Sequence, residues 1–141
     1  FEELSDAEAI EHHLPNFIAL HQASSAEKKE FWDSDHLAFF SQVVPKLAQH
    51  GWVRLFFLSI ESRRVAAMLV FDHNNQFLLY NSGFDPENHA DLSPGMVLIA
   101  HTIKRSIEER KVVYDFLRGD EQYKFRFGAV SESVFDVAFS R

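Results

Sequence analysis

The 141 residues suit one domain, and 46% hydrophobic content with fifteen phenylalanines supplies a sizeable core, which excludes a disordered chain. Fourteen Lys and Arg against twenty-one Asp and Glu leave a net charge of −7, which argues against nonspecific nucleic-acid binding but leaves room for a local basic pocket. With no cysteine there are no disulfides, thiol nucleophiles or thiolate metal sites, which suits a reducing cytoplasmic setting; no apolar run is long enough to span a membrane and no signal peptide is visible.

Ser5-Asp6-Ala7-Glu8 reads as the cap of a short first helix, and Pro15 as the first-turn proline that restarts it through about Ser24. Ile10, Leu14, Phe17, Ile18 and His21 follow helical spacing there. Ser24 to Lys29 reads as a polar break. Asp33 or Ser34 starts the next helix, with Leu37, Phe40, Val44 and Leu47 on one face. Pro45 is expected to kink or split it, and Gly51 to end it.

From Trp52 the period changes. Trp52–Ile60, Arg64–Phe71 and Gln76–Ser82 read as strands, separated by turns at Glu61-Ser62-Arg63 and Asp72-His73-Asn74-Asn75. Such short turns make an antiparallel meander, and runs apolar on both faces imply cover on both sides. Gly83 to Leu92 is a polar loop. Ser93–Arg110 is the longest predicted helix, with Met96, Ile99, Ile103 and Ile107 as its buried stripe. Its crossover should lay a Val112–Leu117 strand parallel to the third. A short helix and a last strand over Ser133–Phe139 complete an α+β fold with a mixed, mostly antiparallel sheet flanked by helices.

The stretch from Asp115-Phe116 through Arg118-Gly119-Asp120 to Tyr123-Lys124, with Leu92-Ser93-Pro94-Gly95 upstream, resembles the C-terminal signature of the GNAT-related acetyltransferase-like domain of CelD-like proteins. Those occur with cellulose and exopolysaccharide synthesis and are cousins of the Fem aminoacyl transferases. Leu20-His21 and Gly51-Trp52 also look family-like. The resemblance implies a GNAT-like acyl-CoA N-acyltransferase fold for residues 1–141, as the C-terminal lobe of a longer two-lobe protein with an upstream GNAT-like lobe. It implies acyl transfer from acetyl-CoA or another acyl-CoA to a saccharide, sugar-nucleotide or amine acceptor in polysaccharide biosynthesis. The alternatives are a non-catalytic lobe that binds substrate or a partner, and Fem-like aminoacyl transfer to a cell-wall precursor.

Ser93, Gly95 and Met96 open a helix whose free amides attract phosphate, and the resemblance places the coenzyme A pyrophosphate there, with Arg118 beside it. The bland reading is a well-capped helix; the glycine-rich run usual in GNAT enzymes is missing. Tyr123 matches a tyrosine that many GNAT enzymes use to protonate the departing thiolate, and it could equally be a core aromatic. Lys124 and Arg126 are donors suited to an anion or a developing oxyanion, or else solvated charges. Asp115, a carboxylate inside an apolar strand, is a candidate base or substrate-orienting group, or a partner for the turn. Arg118 and Asp120 read as a pair across the turn. The eight histidines show no ligand spacing, so no metal site is expected. His21 reads as a packed helix-end histidine that the resemblance singles out.

Overall fold

The structure is a computed structural model that describes residues 1–139. Five strands form one sheet in the order β1 (Glu2–Leu4), β2 (Val53–Ile60), β3 (Arg63–His73), β4 (Gln76–Phe84) and β5 (Val113–Asp115). The first four pair antiparallel and β5 lies parallel to β4, with Gln76 opposite Val113. The predicted mixed sheet and its crossover are therefore present. Both hairpins close through two residues with positive φ, Glu61 and Ser62 in one and Asn74 and Asn75 in the other. That is the twist a tight two-residue turn requires.

Side chains alternate across the sheet, so adjacent Phe56 and Phe57, both fully buried, enter different cores. Phe57, Leu55, Val53, Ala67 and Leu69 face α1 (Ala7–Ala23) and α3 (Ser34–Gln49). Phe56, Leu58, Val65, Met68 and Val70 face the other side, where α4 (Pro94–Glu108) brings Leu98 and Ile99.

Neither proline splits or restarts its helix: α1 and α3 each run unbroken with Pro15 and Pro45 inside. A helix-interior proline costs about 3 kcal/mol. Burial of Ile10, Leu14, Phe17 and Ile18 on one face of α1 outweighs that, at about 1.5–3 kcal/mol for each large side chain. The start of α1 is capped by Asp6, which accepts from Ala9 N at 3.0 Å, and that of α3 by Asp33. Gly51, at φ +70, ends α3 as expected, its amide bonding Ala48 O.

Three further differences matter for the site. The expected polar break contains a short helix, α2 (Ala26–Phe31), capped by Ser25. The stripe of α4 is rotated from the one predicted. Ile107 is exposed, while Thr102 and Ser106 are buried. Each of those hydroxyls donates back to a helix carbonyl, Ile99 O at 2.9 Å and Ile103 O at 2.7 Å, so burial leaves no donor unpaired. Residues 133–139 form no strand; Val134, Phe135, Val137 and Phe139 are exposed and meet no edge.

A bulge in β4 sets the geometry of the cleft. Leu69 pairs with Asn81 and the next residue, Val70, with Leu79, so Tyr80 is the extra residue. Strict alternation after Phe77 and Leu79 would put Asn81 and Gly83 on the α4 side. The bulge inverts the sense. Asn81 bonds His21 of α1, Gly83 lies against the α1 backbone, and Phe84 turns to Gly95 of α4. A Cβ on Gly83 would overlap the backbone N and Cα of His21.

Candidate active site

β4 and β5 pair over only three residues each, ending at Leu78 and Asp115. Beyond that point β4 continues to Phe84 while β5 ends at Asp115, so the pairing stops and the strands part. A cavity of about 560 Å³ fills the opening. Its first wall is the start of α4, from Ser93 to Met96. Its second is the turn after β5 with α5 (Gln122–Arg126), which contributes Phe116, Arg118, Glu121, Tyr123 and Lys124. Its third is Tyr80, Asn81 and Ser82 of β4, with Lys28 of α2.

Six of the residues named from the sequence line this cavity: Tyr123, Lys124, Ser93, Gly95, Met96 and Arg118. Asp115 does not. Its Oδ1 accepts from Leu117 N at 2.7 Å and holds a left-handed backbone at Leu117, φ +56. A leucine there is uncommon and needs outside support, so the structure shows the turn-forming reading of Asp115.

Lys124 gives that support. It is buried, and its Nζ reaches Arg118 O at 3.0 Å, Gly119 O at 3.2 Å and Glu121 Oε2 at 2.8 Å. An ammonium has three protons, and these contacts occupy them. The sequence reading offered Lys124 as a donor to an anion; in this structure its ammonium holds the turn from within. The bond from Lys124 keeps the Glu121 carboxyl below its usual range. Arg118 is the exposed cation of this wall, with no ion-pair or hydrogen-bond partner among the described residues. The expected Arg118–Asp120 pair is not formed. Arg126 is exposed and lies outside the cavity lining.

The half-buried Tyr123 packs its ring against Phe116, centroids 6.1 Å apart, and its hydroxyl meets no protein partner among the described residues. Burial, then the nearby Glu121 carboxylate, pushes the phenol above its usual range. It therefore stays protonated at neutral pH and can donate.

Ser93 is not the cap it resembles. Its φ is +49 and its side chain makes no capping bond. Its carbonyl takes the amides of Met96 at 2.9 Å and Val97 at 3.2 Å. Pro94 has no N–H, so Gly95 is left with the unpaired amide at this helix end, beside the cavity. Gly95 also sits where Phe84 of β4 packs closest, 3.7 Å from the position of a Cβ.

The sequence reading missed Lys28 and Asn81. Lys28 donates to Ser82 O at 2.5 Å, and burial pulls its ammonium below the usual lysine range. In an extended strand the N–H and C=O of one residue share an edge, so the Ser82 amide faces the same opening. Lys28 hid inside a stretch that reads as solvated charge. Asn81 had a signal: Tyr80-Asn81-Ser82 is a polar run inside an apolar strand. Asn81 is held by His21, which accepts at Nδ1 from Trp32 Nε1 at 2.8 Å and donates from Nε2 to Asn81 Oδ1 at 3.0 Å. Burial drops the His21 pKa to about 4, so the ring is neutral.

Among the described residues no three His, Cys, Asp or Glu side chains group as a metal site, and no helix is long and apolar enough to cross a membrane.

The sequence pattern of the acetyltransferase (GNAT) domain matches residues 1–125. The chain belongs to the GNAT acetyltransferase family. This fold implies binding of an acyl-CoA-like donor in general. Solved structures share the fold. An aminoglycoside acetyltransferase from an uncultured soil metagenomic sample, in complex with trehalose, superposes with a TM-score of 0.64 at 19% identity, over 99% of this chain and 95% of that one. The sisomicin complex of that enzyme gives the same score and identity, over 99% and 94%. A ribosomal-protein-alanine N-acetyltransferase from Brucella melitensis biovar Abortus 2308 superposes at 0.59 with 12% identity, over 98% of both chains. No curated protein sequence matches this GNAT domain.

Proposed function

We propose that this GNAT domain transfers the acyl group of acetyl-CoA, or of another acyl-CoA, directly to a saccharide-type acceptor. One observation carries the reading. A single cavity holds an unpaired helix-start amide at Gly95, an uncommitted guanidinium at Arg118 and an unpartnered, protonated phenol at Tyr123. The first two suit the pyrophosphate of the donor. The acceptor nucleophile attacks the thioester carbon, the C–S bond breaks, and the departing sulfur takes its proton from Tyr123. The nucleophile's own proton passes to water at the open mouth, and water returns a proton to the Tyr123 phenolate to restore the phenol. A free thiol has a pKa of about 8.5, so thiolate protonation near neutrality is a modest aid, and positioning supplies most of the acceleration. The Ser82 amide is the backbone donor for the developing oxyanion.

The saccharide class draws on two supports. One is the CelD-like signature, which associates such domains with polysaccharide synthesis. The other is the metagenomic enzyme of the same fold, whose complexes contain trehalose and sisomicin. In this reading the domain works in the cytoplasm beside an upstream GNAT-like lobe of the same chain. A second reading is a non-catalytic binding lobe. Its support is that the α4 start offers the unpaired amide of Gly95, flanked by Asp91, in place of a glycine-rich loop.

Calorimetry with acetyl-CoA tests the proposal. Arg118→Ala should weaken binding by about 1.5–3 kcal/mol, the range for a charge-assisted hydrogen bond. Tyr123→Phe should leave affinity unchanged and lower turnover about 10²-fold. Acetyl-CoA that binds without turnover under any acceptor favours the non-catalytic lobe, and absence of binding overturns both donor assignments.

A further inference from the structure

The polar groups of the cavity divide by side, and the α1 side has a device that donor binding leaves unused. Trp32 Nε1–H can only donate, so His21 Nδ1, at 2.8 Å, must accept. The proton of this neutral ring is therefore on Nε2, which donates to Asn81 Oδ1 at 3.0 Å. That bond fixes the amide flip, because the NH₂ group could not accept it. The NH₂ of Asn81 is left over. It meets no protein acceptor among the described residues, and Asn81 lines the cavity. The β4 bulge places it there, on the side facing away from Ser93 and Gly95. His21 is 2% exposed and Trp32 5%, so the lock is dry and rigid.

The neighbour of this donor is an aromatic surface. Tyr80 lines both the cavity and a shallow cup formed with Phe31, Phe39 and Phe40, with Asp35 and His36 at the same cup. The Tyr80 ring packs on Phe40 with centroids 5.9 Å apart, and Phe39 is 59% exposed. A fixed N–H donor beside an open aromatic face matches a ring that shows C–H edges on one side and oxygen lone pairs on the other.

We propose that Asn81 is the specificity-determining residue for the acceptor, giving its two N–H donors to hydroxyl or ring oxygens of a sugar seated against Tyr80, with His21 and Trp32 as positioning residues. This rests on the acyl-transfer reading and deepens it. The Asn81 carbonyl is already engaged by His21, so Asn81 offers a ligand only donors and itself favours oxygen acceptors over a bare alkylammonium group.

The test uses the full chain with acetyl-CoA and a panel of acceptors, trehalose, glucosamine, sisomicin and the hydroxyl-free amine butylamine, with thiol release as the readout. Asn81→Ala and Asn81→Asp should each cut kcat/KM for the hydroxylated acceptors at least tenfold, mainly through KM. Acetyl-CoA affinity should hold within twofold. His21→Ala should reproduce the loss, and the double variant should be no worse than Asn81→Ala, a coupling that independent structural damage would not produce. Nitrogen-15 NMR of the His21 ring supplies a measurement that needs no variant. It should show the neutral Nε2–H form from pH 5 to 8, and the other tautomer would overturn the lock. Equal kcat/KM for Asn81→Ala and the parent, preference for butylamine, or acetyl-CoA binding without transfer to any sugar would overturn the acceptor assignment while the donor reading stands. Absence of acetyl-CoA binding would overturn the donor reading itself.

Discussion

The two ends of the sheet treat charge in opposite ways. At the end where β4 and β5 pair, Arg54 of β2 reaches Glu3, Asp72 and Glu109 together, bonding Glu109 at 2.6 and 2.9 Å. Lys111 closes on Asp72 at 2.6 Å and Arg105 Nη2 on Glu109 at 2.9 Å. This network ties β1, β2, β3 and the end of α4, and its cations and carboxylates answer one another. At the end where the strands part, Arg118, the Gly95 amide and the Tyr123 hydroxyl have no protein partner among the described residues. One end spends all of these polar groups on the fold; at the other, Lys124 and Lys28 are spent on the fold as well, and these three groups are left over. Counting ion pairs along the chain would never separate the two; only the partners do.

The comparison breaks most severely at Arg54. Arg54→Met leaves three partly buried carboxylates without their common cation, and should cost about 4 kcal/mol in urea denaturation. The folded fraction should still bind acetyl-CoA with parent affinity. A loss below 1 kcal/mol would mean the closed end does not hold the sheet.

The next effect is in pH. His21 titrates at about 4 when folded, against 6.5 for the free side chain, so between those values the unfolded chain binds the extra proton. Stability from this group is fully present above pH 6.5 and is lost as pH falls toward 4, to a total of about 3 kcal/mol. The Glu109 carboxyl is also held low, chiefly by Arg54 against the opposing effect of burial, and its share is lost only below about pH 4.5. Denaturation midpoints of the parent and His21→Gln between pH 7 and 4.5 isolate the first window. The variant should show the flatter profile.

Lys124 sharpens the comparison at the open end. Lys124→Met should lower stability by about 2 kcal/mol, because it strips donors from the Arg118 and Gly119 carbonyls. Added salt should restore little, since the bonds are buried. If stability is unchanged and acetyl-CoA affinity drops, the lysine belongs to the ligand after all. Ser93→Ala comes last. With no side-chain capping bond to lose, it should change stability by less than about 0.5 kcal/mol.

Much of this fold could be read from residue patterns. Continuous apolar runs with short polar turns located β2, β3 and β4, and the long helix between β4 and β5 dictated a parallel return. Glu2–Leu4 escaped because three residues carry no period. Pro15 and Pro45 misled because local propensity was judged without the packing that opposes it. Thr102 and Ser106 misled because each hydroxyl finds its acceptor within its own helix, and a hydrophobicity pattern cannot see that. At the site, most of the motif residues line the walls of one cavity. The motif could not assign work within them, because Arg118 and Lys124 differ only in where the turn points them. The polar run Tyr80-Asn81-Ser82 marks Asn81, but the side it faces is set by the bulge, which no spacing rule registers.

That bulge has a consequence for how segments of this chain can change length. Removing or adding one residue between Gln76 and Asn81 would swap the sides reached by everything downstream. Phe84 would then face α1, where Gly83 now allows the helix backbone to touch the strand. No side-chain substitution could undo that exchange, since it arises from parity and not from size. The loop from Asp85 to Leu92 carries no such condition, because its ends are set by Phe84 and Pro94 and its middle is mostly exposed. In this lineage, insertions and deletions should accumulate in that loop, and the six residues from Gln76 to Asn81 should keep their number even where their identities drift.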